Sequence, residues 1–244
     1  CPISLANSEE LNHIKKLKPD VVVVVAYGQI LPVDFLNLDQ VHFLNVHTSL
    51  LPKWRGAAPI QRAIMNMDEE TGVSVMKIVE KLDAGPVLLK SKVKINKESN
   101  YEDISKKMST MSAKLILDAL DLIKSGDAKF IPQNENEATY AKKINKKESK
   151  ITWNEDADKI IAKINALNPS PGSWFDFFGS RIKIIKAKEV NIKGHPGLIQ
   201  NENFTMACSK KAIQILELQK KGKKKITTQE FLRGNKIETG ITLS

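Results

Sequence analysis

Apolar positions in the first half of the chain fall into alternating helical and extended segments. Residues 8–17 carry Leu11, Ile14 and Leu17 at helical spacing, with Ser8 as a capping residue and Glu9 and Glu10 in the first turn. Pro19-Asp20 ends that segment. The five consecutive valines at 21–25 are too uniform for a one-sided strand and predict a parallel strand buried on both faces. Residues 41–46 (VHFLNV) read as its neighbour and 32–38 as a short connecting helix. Residues 58–67 read as another helix, with Ile60, Ile64 and Met67 on one side. Further strands are predicted at 72–79 and 87–95, and a long helix at 101–123 with Ile104, Met108, Met111, Leu115 and Leu122 among its apolar positions. This alternation predicts an α/β domain, a doubly wound and mostly parallel sheet.

The pattern changes past residue 128. Residues 129–147 are rich in Lys, Asn and Glu with little apolar periodicity, which suits a linker. A helix at 156–167 precedes Pro169-Ser170-Pro171-Gly172 and then two runs, 174–178 and 181–190, around Gly179-Ser180, a hairpin signature. Short apolar runs at 197–199, 204–208 and 212–218 predict a small antiparallel barrel. The expected organisation is a catalytic domain at 1–128, a basic linker at 129–147 and a second domain at 148–244. Trp174, Phe175, Phe177 and Phe178 could stack on bases, but their alternation favours core packing.

Composition narrows the class. With 244 residues, 41% apolar and 27% charged, the chain is globular rather than disordered. It contains no run long enough to span a membrane, and the segment CPISLANSEE has neither a basic region nor an apolar signal core, so a cytoplasmic protein is expected, bacterial or in an organelle matrix. Cys1 and Cys208 lie far apart, and His13, His42, His47 and His195 show no ligand spacing, so neither a disulfide framework nor a metal is expected. The net charge of +10 is unevenly placed. Residues 1–128 hold 16 Lys and Arg against 16 Asp and Glu, leaving 22 against 12 for 129–244 (38 − 16 and 28 − 16). Lys142, Lys143, Lys146, Lys147 and Lys150 form one cluster, and Lys220, Lys221, Lys223, Lys224 and Lys225 another. Such segregation fits a polyanionic partner better than a merely solvated surface.

The candidate chemistry begins at Asn45 and His47. Two apart on a strand, they share a face at its carboxyl end, where open α/β sheets bind ligands. An amide N–H can donate to a developing oxyanion, and an imidazole can donate to it or carry a proton. Asp83, in the turn Leu82-Asp83-Ala84-Gly85, could orient the imidazole or accept a proton from an amine. Taken singly, a histidine on a half-apolar strand is more often structural, and Asp before Ala-Gly is usually just a turn. No glycine-rich phosphate loop is present, which argues against a dehydrogenase or ATPase.

The spacing becomes specific in its context. NVHTSLLPKWRGAAPIQRAI, preceded by VVVAYGQILP and followed by ETGVSVMKIVEKLDAGPVL, resembles the 10-formyltetrahydrofolate-dependent formyltransferases and, within them, the methionyl-tRNA formyltransferases. Thr48 stands where that family commonly has glycine. The resemblance implies an OB-like, tRNA-binding domain at 148–244 and formyl transfer from 10-formyltetrahydrofolate to the α-amine of methionine on initiator tRNA. It assigns Asn45 and His47 to the tetrahedral oxyanion and Asp83 to the amine proton and the hold on His47. Ser49, Leu50, Leu51 and Pro52 are expected to border the folate, and the protein is expected to be a monomer. Alternatives are a formyltransferase for a sugar amine or glycinamide ribonucleotide, and a catalytically silent RNA-binding relative. Members of the family also begin with a strand, a Gly-Thr-Pro turn and further βα units before the segment matching Cys1. Residues 1–244 are accordingly expected to be part of a longer protein, in which a further strand pairs with the free side of 21–25.

Overall fold

A computed structural model describes residues 8–28, 31–38 and 40–243. The chain divides into two compact units. One comprises Cys1–Pro59, Glu70–Lys94 and Lys106–Lys142, the other Ile60–Glu69, Ile95–Ser105 and Lys143–Ser244.

In the first unit, helix α1 (Ser8–Leu17) leads into strand β1 (Val21–Val24), and a single turn, α2 (Val33–Leu36), precedes β2 (His42–His47). A two-residue strand β3 (Arg55–Gly56) follows, then helix α3 (Pro59–Met65), most of which belongs to the second unit. β4 (Glu70–Lys77), β5 (Val87–Lys94) and the long helix α4 (Tyr101–Ser125) come next, and β6 (Tyr140–Ala141) closes the unit. The main sheet has the order β1-β2-β4-β5, with β1 and β2 parallel and the other two pairings antiparallel. Among the described residues it is therefore a mixed sheet, in which β1 and β2 run parallel while β4 and β5 each reverse the direction of the strand before them in the sheet. β1 lies at the sheet edge, and Val23 and Val25 are exposed, so the valine run is not covered on both faces among the described residues. Ile60 and Ile64 of α3 are buried as expected, whereas Met67 leaves the helix in a left-handed conformation (φ 56°) and is exposed.

The predicted linker at 129–147 differs most from expectation. Ile131 exchanges backbone hydrogen bonds with Val87 (2.8 and 2.9 Å). Residues 139–141 run beside the loop that follows β2: Thr139 N–H donates to Pro52 O, Arg55 N–H to Thr139 O and Ala57 N–H to Ala141 O, while β6 pairs parallel with β3. Gly56 is required there, since its φ of 117° suits glycine alone and a Cβ would lie 2.9 Å from Ala141 O. The stretch looked like linker because its attachments are backbone and polar, which leave no apolar period. Arg55 is fully buried. Its guanidinium donates to both carboxylate oxygens of Glu135 (2.9 and 3.2 Å), a paired arrangement that removes the penalty of an isolated buried charge.

The second unit is built on an antiparallel sheet. Helix α5 (Ala157–Leu167) buries Ile160, Ile164 and Leu167, one stripe at helical spacing. Strands β7 (Trp174–Phe177), β8 (Ser180–Val190), β9 (Ile199–Asn201), β10 (Thr205–Ala207) and β11 (Ala212–Lys220) lie in the order β7-β8-β11-β10-β9. β12 (Ile226–Thr227) pairs with β11 and runs into α6 (Thr228–Arg233). The curled sheet is OB-like, and the hairpin predicted around Gly179-Ser180 forms in register, Phe177 opposite Ser180. Phe175 sits at the centre of the core, its ring 5.4 Å from Trp153 and 5.9 Å from Phe204 in edge-to-face geometry. The core reading thus holds for Phe175 and Phe177; Trp174 is half-buried beneath Arg181, and Phe178 at the hairpin tip is exposed. Cys208 is buried and free, and burial pushes its thiol up to about 12, outside the range of a reactive thiolate. Cys1 lies outside the described residues.

Phe175→Ala is expected to destabilise the second unit by about 3–5 kcal/mol through the cavity it leaves, measured by urea denaturation; a loss below about 1 kcal/mol would contradict this packing. Arg55 and then Lys81 hold the Glu135 carboxyl down to about 2 from an ordinary 4.5. A carboxyl lowered on folding stabilises above its unfolded value and loses that contribution as pH falls through the folded one. Glu135→Gln is therefore expected to unfold at lower urea than the parent at pH 6, with the gap closing between about 4.5 and about 2. A gap that stays constant with pH would show that the pair contributes nothing.

Candidate active site

Strand β2 ends in Asn45, Val46 and His47, which include two of the three residues expected to carry the chemistry. Its register opposite β4 pairs Asn45 with Met76 and His47 with Ser74, and alternation sends Asn45 and His47 to one side. Asn45 is half-buried, and among the described residues its side-chain amide makes no hydrogen bond. His47 is buried, with Nε2 2.9 Å from Trp54 O and Nδ1 3.6 Å from Asp83 Oδ2. A neutral ring donating from Nε2 to Trp54 O turns the Nδ1 lone pair toward the carboxylate. Two acceptors then face each other, and a proton arriving at Nδ1 makes the contact attractive.

Asp83 is held from several directions. Its Oδ2 accepts the Gly56 N–H at 2.8 Å, and its backbone is in the left-handed region (φ 47°), a conformation a non-glycine residue keeps only where neighbours enforce it. Two residues on, Gly85 has no room for a side chain, because a Cβ there would overlap the Lys77 carbonyl. Gln133 Nε2 donates to both Asp83 O (2.8 Å) and Gly85 O (2.7 Å), and Gln133 Oε1 accepts from Arg55 Nε (3.1 Å) and Nη2 (2.9 Å). Pattern reading passed over Gln133 and Glu135, since both lie in the stretch assigned to the linker. An isolated polar residue whose partners are backbone carbonyls and a buried guanidinium leaves no periodic signal, although the buried Arg55 itself implies that acceptors must come from somewhere.

The loop expected at the folate is ordered by its own polar contacts. Ser49 Oγ donates to Lys53 O, Ser74 Oγ donates to Ser49 O and accepts Leu51 N–H, and Lys90 Nζ donates to Leu51 O. The Ser49 and Leu51 side chains are buried, Leu51 packing on Met76 and Val87, whereas Leu50 and Pro52 are partly exposed. The structure thus brings His47 against Asp83, places Asn45 on the same side of β2 as His47, and turns two of the four loop side chains inward. His42, on the same strand, stacks on Phe130 at 5.9 Å; burial and then the charge of Lys77 lower its pKa, a structural setting rather than a second catalytic histidine. Among the described residues no group of three His, Cys, Asp or Glu could hold a metal, and no helix is long and apolar enough to cross a membrane.

Comparison with known proteins gives this geometry a family. Residues 2–120 match the formyl transferase family, and residues 143–236 match the formyl transferase C-terminal domain. The methionyl-tRNA formyltransferase of Pelagibacter ubique (strain HTCC1062) is 47% identical over 239 residues, 98% of this chain and 77% of that protein. The one from Parvibaculum lavamentivorans is 42% identical over 249 residues, 100% of this chain and 80% of that protein. Among solved structures, HypX from Aquifex aeolicus, crystallised in complex with tetrahydrofolic acid, shares the fold with a TM-score of 0.69 at 20% identity, over 95% of this chain and 44% of that longer one. Identity of this extent across both units shows that the chain belongs to the methionyl-tRNA formyltransferase family, enzymes that transfer a formyl group.

Proposed function

We propose that the protein formylates the α-amine of methionine esterified to initiator tRNA, with 10-formyltetrahydrofolate as donor. The observation that carries this reading is the convergence of Asn45, His47 and Asp83 at the end of β2, within a chain whose relatives are named for that reaction. The neutral amine attacks the formyl carbon, the carbonyl oxygen gains negative charge, and the Asn45 amide, without a partner among the described residues, supplies an N–H to it. Both His47 ring nitrogens already face protein groups, so the histidine acts chiefly with Asp83: the proton released by the amine passes to the pair, where His47 Nδ1 and the carboxylate can share it. Collapse of the tetrahedral intermediate returns a proton to the departing folate nitrogen. Partly exposed Leu50 and Pro52 are the side chains of the loop available to the folate, while Ser49 and Leu51 act by shaping its backbone.

The acceptor is a polyanion, and the second unit suits one. Lys143, Lys146, Lys147 and Lys150 are exposed there, Lys146 and Lys147 on a short 3₁₀ turn (Lys146–Ser149) fixed by reciprocal hydrogen bonds between Asn145 and Glu148. Glu148 is also paired with Arg62 at 2.7 Å, which lowers its pKa and anchors the turn. Lys221, Lys223 and Lys224 are exposed after β11, whereas Lys220 is engaged with Asn235 and the Phe231 ring.

Asn45→Ala is expected to lower kcat by about 100 to 1000-fold while the Kd for charged initiator tRNA changes by less than about threefold, measured by steady-state formylation and filter binding. Equal losses in both would contradict an oxyanion role. Replacing Lys146, Lys147 and Lys150 together by Ala should reduce the slope of log K against log salt for tRNA binding by roughly 2 to 3. An unchanged slope would remove these lysines from the interface.

A further inference from the structure

We infer that Gln133 is a positioning residue for Asp83, a role that rests on the assignment of Asp83 to the reaction. Its amide uses both ends. The nitrogen donates to the carbonyls of Asp83 and Gly85, and the oxygen accepts two N–H groups of Arg55. Arg55 is followed in the chain by Gly56, whose N–H bonds Asp83 Oδ2. The contacts close a ring: from the Asp83 carbonyl to Gln133, to the Arg55 guanidinium, along β3 to Gly56, and back to the Asp83 carboxylate. Glu135 completes the buried guanidinium on its other side. The ring fixes the main chain and the side chain of one residue together. That residue is in the left-handed region, which aspartate tolerates better than most residues but still populates sparsely, so contacts that hold it there count.

Only a carboxamide meets both demands. Turned over, it would set NH2 against the guanidinium and oxygen against two carbonyl oxygens. Glutamate keeps the bonds to Arg55 but has no donor for Asp83 O and Gly85 O. Methionine has the length and offers neither. Releasing the turn lets Asp83 move away from His47, and a misplacement near 1 Å costs a reacting group about 100-fold in rate.

The test is a double-mutant cycle on the purified protein, with single-turnover formylation for the weakest variants. Gln133→Glu is expected to lower kcat by about 10 to 100-fold with both KM values within about threefold, and Gln133→Met should do the same. In the Asp83→Ala background either change at Gln133 should alter the rate by less than about twofold, because its effect passes through Asp83. Rates are expressed per folded molecule, so that lost stability alone leaves them unchanged. Full kcat in both Gln133 variants, or a loss that simply adds to that of Asp83→Ala, would overturn the positioning role while leaving Asp83 in place. Full kcat in Asp83→Ala would overturn the assignment of Asp83 and this role with it.

Discussion

A guanidinium with no exposed surface is the constraint around which the catalytic loops are arranged. Arg55 must meet acceptors or bear the cost of a buried charge, and Gln133 and Glu135 bring four hydrogen bonds to it. Satisfying Arg55 fixes β6 alongside β3, which orients the Gly56 N–H, which in turn holds the Asp83 carboxylate. The same amide that accepts from Arg55 grips the carbonyls of the Asp83 turn. One buried cation thus couples the loop after β2, the turn before β5 and the strap that returns over them, so the site's geometry follows from a requirement of electrostatics rather than from apolar packing.

The division of labour within the site follows. Asn45 is on a strand held in a four-stranded sheet, and among the described residues its amide has no hydrogen-bond partner. His47 is turned into the protein by Trp54 O, itself at a residue in the left-handed region (φ 61°), and shares its other side with Asp83. The proposed oxyanion donor and the proposed proton-handling pair therefore come from different kinds of support, a strand for the first and a strained, hydrogen-bonded turn for the second.

Apolar periodicity made the helices at 101–123 and 156–167 and the hairpin at 174–190 legible, because each buries one stripe or face; the helix at 8–17 was legible too, although Leu11 and Ile14 are only partly buried and Leu17 is exposed. At 21–25 the five valines predict two covered faces, whereas among the described residues β1 lies at the sheet edge with Val23 and Val25 exposed. Composition could not tell a parallel from an antiparallel neighbour, so the mixed sheet was not readable either. At the candidate site, Asn45, His47 and Asp83 were picked out by residue type and by the motif around them, and the contact between His47 and Asp83 is present in the structure. What holds them was not legible. Gln133, Glu135 and Thr139 act through polar contacts to residues at least 48 positions away in sequence, and no local pattern encodes such contacts.

The central claim is that this site passes a formyl group to methionine on initiator tRNA. The most direct measurement gives the protein formyl-labelled 10-formyltetrahydrofolate and, in parallel, charged initiator methionyl-tRNA, charged elongator methionyl-tRNA and a nucleotide-linked amino sugar. Label should enter the initiator methionyl-tRNA at a kcat/KM at least about 100-fold above either alternative, a difference of roughly 2.7 kcal/mol in transition-state binding. Transfer to the amino sugar at an equal or higher kcat/KM, or to none of the three, would contradict it.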